Sequence, residues 1–257
     1  MKHHRIAAAL AALTMSQAAV AEGPLAFVTC PIVRDTATVP CWLAEFGGKT
    51  YYMGIQTDVS ADFNPPSLGH KVLVEGTPNA DGKTVCGAQV LDGVKVSVMP
   101  DLSPECNTLL MADDRYELGF EPPRPPGPSA GRLAFTYAPP PPLPQAPFPE
   151  RTFTIAYDFD GTVNFQSPRF LAPALQYAQH VKARRIEITG YRAAVALTGS
   201  GQLNERDRLG TIRAEQVARL LRGAGLNEPE YVVRGVDQPQ AGGPEVRRVT
   251  IRIIPGG

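Results

Sequence analysis

The sequence predicts an all-β half followed by a half in which strands and helices alternate in the order β-α-β-α-β-β. Three observations predict it. Residues 25–118 carry short alternating or apolar runs set apart by turn residues, with no long helical period. Residues 121–150 concentrate proline. Residues 151–257 switch between strand-like and helix-like periodicity. The 257 residues suffice for one large domain or two small ones. Formal net charge is zero, so no general basic footprint for nucleic acid exists.

The N-terminus reads as an address. Lys2-His3-His4-Arg5 is a basic head, Ile6–Met15 an apolar run, and Ala19-Val20-Ala21 a small-x-small cleavage pattern. The expectation is a signal peptide over 1–21, with Glu22 as the first mature residue. A membrane span needs about 20 apolar residues, and Thr14, Ser16 and Gln17 interrupt this run. No later stretch is long and apolar enough, so the mature chain is expected to have no transmembrane segment. The chain has four cysteines, Cys30, Cys41, Cys86 and Cys106, an even set that in an exported chain reads as disulfides. Three pairings are open; the two short loops, Cys30–Cys41 and Cys86–Cys106, are preferred. No C-x-x-C pair is present, and His70 and His180 stand alone, so neither a metal nor a cofactor is expected.

Within 22–120 the strand-like runs are Tyr51–Ile55, Val72–Val74, Val85–Leu91 and Val94–Val98, divided by turns such as Asn79-Ala80-Asp81-Gly82 and Leu91-Asp92-Gly93. They predict a small all-β domain of five or six strands with two disulfides. On strand count alone it could be an OB-like barrel; a disulfide-stapled structural module is the blander reading and is preferred. Residues 121–150 read as a semi-rigid proline-rich linker, because proline blocks both helix and sheet ladders. A short strand at Leu133–Tyr137 and a proline-rich recognition motif are weighed against the spacer.

In 151–257, Phe153–Phe159 predicts a strand. A helix follows over Arg169–Val181, with Ser167 as N-cap, Pro168 at its first position and Pro173 inside. Arg185–Thr189 predicts a strand and Asn204–Leu221 a long helix ended by Gly223 and Gly225. Tyr231–Val233 and Val249–Ile253 predict two more strands.

Asp158-x-Asp160-Gly161-Thr162 after a strand resembles the first motif of haloacid-dehalogenase-type phosphatases, and Ile186–Gly190 their second. That chemistry also needs a lysine for the phosphoryl charge and a later acidic pair for magnesium. No lysine follows Lys182, and the only later aspartates are Asp207 and Asp237. A nucleophile without its electrostatic partners is not a catalyst. No catalytic residue is assigned and the chain is not expected to be an enzyme.

Residues 151–257 instead resemble the OmpA-like (Pal-like) C-terminal domain, a peptidoglycan-binding module. Ile155–Asp160 is similar to its first strand, often V-Y-F-D-F-D. Ile186-Glu187-Ile188-Thr189-Gly190 stands where the family writes V-E-I-x-G before H-T-D. Leu209–Val217 is similar to L-S/G-x-x-R-A-x-x-V, and Arg247–Ile251 to R-R-V-x-I. The resemblance implies an α+β sandwich with helices on one face of a mixed sheet. It also implies a site where an Asp takes the amine side of diaminopimelate in the stem peptide and the Arg of R-A a carboxylate. Arg213 matches that Arg. The Asp position is Ala193, within Gly190-Tyr191-Arg192-Ala193, and Arg206 and Val246 replace two asparagines. Arg213, Arg192, Tyr191, Asp158 and Asp160 are therefore the candidates for a partly degenerate peptidoglycan site, and Ala193→Asp is the change expected to restore an anion. Two functions follow: a periplasmic, outer-membrane or cell-wall-associated tether that holds peptidoglycan, or an envelope module that binds a protein partner after its ligand site was lost.

Overall fold

In the computed structural model, residues 23–55, 67–118, 145–162, 167–199 and 201–256 are described. The expected signal peptide and the proline-rich segment up to residue 144 lie outside the described residues. The N-terminal strands are β1 (Leu25–Thr29), β2 (Pro31–Thr36), β3 (Cys41–Phe46), β4 (Lys49–Ile55), β5 (His70–Pro78), β6 (Thr84–Val85), β7 (Ala88–Leu102) and β8 (Thr108–Asp113). Five or six were expected; the excess comes from a first strand broken at Cys30, from the two-residue β6, and from β8.

The strand order is β1-β5-β7-β4-β3-β2-β8, with β6 on β7. Only Cys30 separates β1 from β2. One half of this bent strand pairs with β5, the other with β3, so the sheet returns to where it began. A parallel contact between β4 and β7, through Tyr51↔Gln89 and Tyr52↔Val90, completes the ring. Alternation sends Phe27, Trp42, Tyr51, Met53, Val72, Val74 and Val96 into its core.

The disulfides are Cys30–Cys106 and Cys41–Cys86, not the short-loop pairs. Register explains the correction. Cys41 stands opposite Arg34 on the β2–β3 hairpin. Cys30 is four residues further down the strand, or about 13 Å, beyond disulfide reach. The observed bridges close longer loops, with sequence separations of 76 and 45 residues. In the loop-entropy model each is worth about 4 kcal/mol.

The C-terminal half runs β9 (Arg151–Ala156), α1 (Ser167–His180), β10 (Arg185–Ala196), β11 (Gln202–Asn204), α2 (Leu209–Gly223), β12 (Glu230–Ala241) and β13 (Arg248–Ile254), with a 3-10 turn at Pro244–Val246. Its sheet order is β11-β10-β13-β9, with β12 parallel to β10 and the other neighbours antiparallel. Alternate residues Ile186, Ile188, Val249, Ile251 and Ile253 form one apolar face. Leu171, Ala174 and Tyr177 of α1 pack on it with Ala214, Val217 and Leu221 of α2. Two elements differ from expectation. Gly199 and Gly201, at φ +83° and +66°, turn the chain into a β10–β11 hairpin. Asn204 is thereby spent in a strand, and α2 starts at Leu209. The end of the proline-rich stretch also packs: Tyr177 donates its hydroxyl to the Pro149 carbonyl, and Phe148 lies edge-on to His180.

The two halves are docked. Val72-Leu73-Val74-Glu75 is buried on both faces of β5: Val72 and Val74 face the barrel core, while Leu73 meets Phe159 and Val195 of the C-terminal half. Ala26 N–H donates to Thr198 Oγ1 at 2.9 Å and Thr198 N–H to the Ala26 carbonyl at 2.7 Å. Phe159 N–H donates to Ser97 Oγ at 2.9 Å. Arg247 reaches across with both Nη atoms to the Glu75 carboxylate, at 3.1 and 2.5 Å.

Candidate functional site

Arg213 lies on the buried row Leu209–Arg213–Val217–Leu221 of α2, each residue four from the next. The start of α2 presses on the sheet because two glycines meet there: a Cβ on Gly190 would stand 2.1 Å from the Gly210 carbonyl oxygen. The Asp237 carboxylate of β12 holds this end, accepting Thr211 N–H at 3.0 Å and Thr211 O–H at 2.6 Å. That capping leaves α2 with an anion at its N-terminus, the favourable end for one.

The guanidinium of Arg213 is wholly buried and stacks 4.8 Å from the Tyr157 ring centroid. Nε donates to the Gly161 carbonyl at 2.8 Å, Nη1 to the Tyr191 carbonyl at 2.9 Å, and Nη2 to the Asp158 carbonyl at 3.2 Å. The other two N–H groups grip the Glu205 carboxylate, Nη1 to Oε2 at 2.9 Å and Nη2 to Oε1 at 2.7 Å. Glu205 is also wholly buried. Its oxygens accept two backbone donors besides, Asp160 N–H at 3.0 Å and Ala193 N–H at 2.7 Å. Burial pushes the Tyr157 phenol up to about 12, against the opposing pull of Arg213. Its hydroxyl is buried with no hydrogen-bond partner among the described residues.

The remaining candidates gather around this pair as framework. Arg192 Nε donates to the Glu205 carbonyl at 2.7 Å, Nη1 to the Asp237 carbonyl at 3.1 Å, and Nη2 pairs with Asp207 at 2.7 Å. Tyr191 gives its carbonyl to Arg213 and its ring to Arg248, 4.5 Å from the guanidinium carbon. Asp158 is exposed and contributes a carbonyl. Asp160, at φ +55°, accepts Arg206 N–H on Oδ1 at 2.7 Å. Desolvation holds the Asp160 carboxyl above its ordinary value; the Arg206 backbone N–H opposes this, and Glu205 adds repulsion. Ala193 is buried with its N–H on Glu205, so an Asp there would meet a carboxylate rather than a waiting amine.

Sequence reasoning missed Glu205 because it placed the residue inside a helix beginning at Asn204. The run Thr198-Gly199-Ser200-Gly201 in the sequence was the signal for a hairpin instead. It also treated Arg213 as available, although the four-residue spacing from Leu209 and Val217 puts it in the apolar row.

Neither residue of the pair lines either of two concavities among the described residues. One of about 310 Å³ is lined by Ser67, Val98, Pro100 and Asp158–Gly161. The other, about 490 Å³, lies between the halves, with Glu75, Gly76, Val195 and Gly242 among its walls. Among the described residues no His, Cys, Asp and Glu side chains cluster as metal ligands, and no helix is long and apolar enough to cross a membrane.

No family model matches the chain, and no curated protein matches it. Among solved structures it is similar to the OmpA-like domain of FopA1 from Francisella tularensis, at 21% identity and a TM-score of 0.32, over 41% of this chain and 73% of that one. It is also similar to a MotB-like protein from Desulfovibrio vulgaris, at 16% identity and a TM-score of 0.32, over 42% of this chain and 75% of that one.

Proposed function

We propose that this chain is a non-enzymatic protein of the bacterial cell envelope whose OmpA-like half, 151–257, works as a protein-interaction module and not as a grip on diaminopimelate. One observation carries the reading: Arg213, which the resemblance offers to a ligand carboxylate, is buried and bound to Glu205 within the chain. Taking an Arg out of such a pair would strand a buried carboxylate, which is strongly unfavourable. The signal-like head over 1–21 and two disulfides support export to the periplasm. The returning strand order of 22–120 supports an OB-like barrel, carried on the module by the Leu73–Phe159–Val195 contact. The segment 121–150 is the connection between them.

Co-sedimentation with insoluble diaminopimelate-type peptidoglycan tests the reading. The mature protein is expected to stay in the supernatant, and Ala193→Asp to bring no gain. Sedimentation of the wild type that competes with free diaminopimelate overturns it and restores the tether.

A further inference from the structure

The Glu205 carboxylate is held by four donors: Asp160 N–H, Ala193 N–H and two N–H groups of Arg213. None belongs to the segment that bears Glu205. Asp160 lies in the loop after β9, Ala193 in β10 and Arg213 in α2. Each oxygen takes one backbone and one guanidinium donor, the full complement of a fork-to-fork carboxylate contact with both flanks occupied. The receptor is stiff. Three backbone carbonyls fix the guanidinium, and Arg192 and Asp160 hold the backbone of Glu205 and Arg206 beside it.

We infer that these four donors form a carboxylate receptor in its own right, and that Glu205 is its intramolecular ligand, excluding small external carboxylates. This rests on the closed-site reading and says what closes it. The receptor's shape does not depend on the covalent link between Glu205 and the chain. Shortening that side chain therefore leaves a buried anion site open to a small carboxylic acid in its ionised form.

The test is chemical rescue of the mature, disulfide-bonded protein, with acetate as the probe and chloride at equal ionic strength as control. Glu205→Gly is expected to melt lower than wild type in chloride. Acetate at about ten times its Kd should raise its Tm by about 3–6 °C. Wild type and the Glu205→Gly/Arg213→Met double variant should show no acetate-specific rise. A Glu205→Gly protein that folds only with acetate also supports the receptor. Equal melting in the two salts, or an equal acetate effect on wild type, overturns it. If Glu205→Gly folds in neither salt, Glu205→Gln decides. An amide turns an NH₂ group toward two donors, so a strongly lowered Tm supports the receptor and a wild-type Tm overturns it. Peptidoglycan sedimentation is read separately, so the closed-site reading can fail while the acetate result stands.

Discussion

Among the described residues the chain buries two arginine–glutamate pairs, one inside the C-terminal half and one between the halves. Arg213 uses all five of its N–H groups, two on Glu205 and three on backbone carbonyls. Arg247 makes two bonds to Glu75, and its Nε is buried without a partner among the described residues. Both guanidinium groups have left water. Only the first has replaced every hydrogen bond it gave up. A buried ion pair is worth what its geometry returns against desolvation, so the first should be a keystone and the second a latch whose charge is replaceable.

Breaking the first pair should give the largest effect. Arg213→Ala is expected to cost about 3–5 kcal/mol, because it strands Glu205 in the interior; urea unfolding measures it. Ala193→Asp should also destabilise rather than create a binding site, by about 3 kcal/mol, since its carboxylate would be buried beside Glu205. A neutral Ala193→Asp would mean that the pair is less enclosed than the geometry indicates.

The latch should respond differently. Glu75→Leu or Arg247→Met alone is expected to cost about 2–3 kcal/mol, the value of charge-assisted bonds left unmade. The double variant should recover most of that loss, because apolar groups of similar size pack without desolvation cost. A protease site engineered between residues 130 and 131 adds a second readout. After cleavage, the disulfide-bonded barrel and the C-terminal half should still co-elute in gel filtration, and Leu73→Ala should weaken their association. Fragments that separate at once would remove the docked arrangement.

What the sequence made legible follows from how local each signal is. The period-two alternation of Ile186-Glu187-Ile188 and Val249-Thr250-Ile251 marks strands without outside help, as the four-residue apolar row marks α2. Both helices and the use of all four cysteines in disulfides were visible this way. The pairing of those cysteines was not, because strand register decides it. Glu205 was hidden because the loop that bears it, between β11 and α2, read as the first turn of the helix that carries Arg213. The interface was hidden because Leu73, Glu75 and Ser97 point out of the barrel, where alternation predicts solvent; only the unbroken Val72-Leu73-Val74 run hinted at a strand covered on both faces.

The smallest expected effect probes how completely the keystone pair is satisfied. Asp160 stands beside Glu205, and desolvation first, then repulsion from Glu205, hold its carboxyl above the ordinary value while the Arg206 N–H pulls it down. A raised acid holds its proton longer in the folded protein than in the unfolded chain. Between its ordinary value near 3.8 and the raised folded value, the folded state therefore binds more protons, and stability falls as pH rises through that window. Above the window the penalty is constant; below it, it is absent. Asp160→Asn keeps an oxygen for Arg206 N–H and tolerates the left-handed backbone at φ +55°, but carries no charge. It should melt slightly above wild type at pH 7, with the two curves converging below pH 3.8. Because Asp160 is only half-buried, solvent screening keeps the gain small. A variant that melts lower at pH 7 would show that the Asp160 charge supports the Arg213–Glu205 network instead of opposing it.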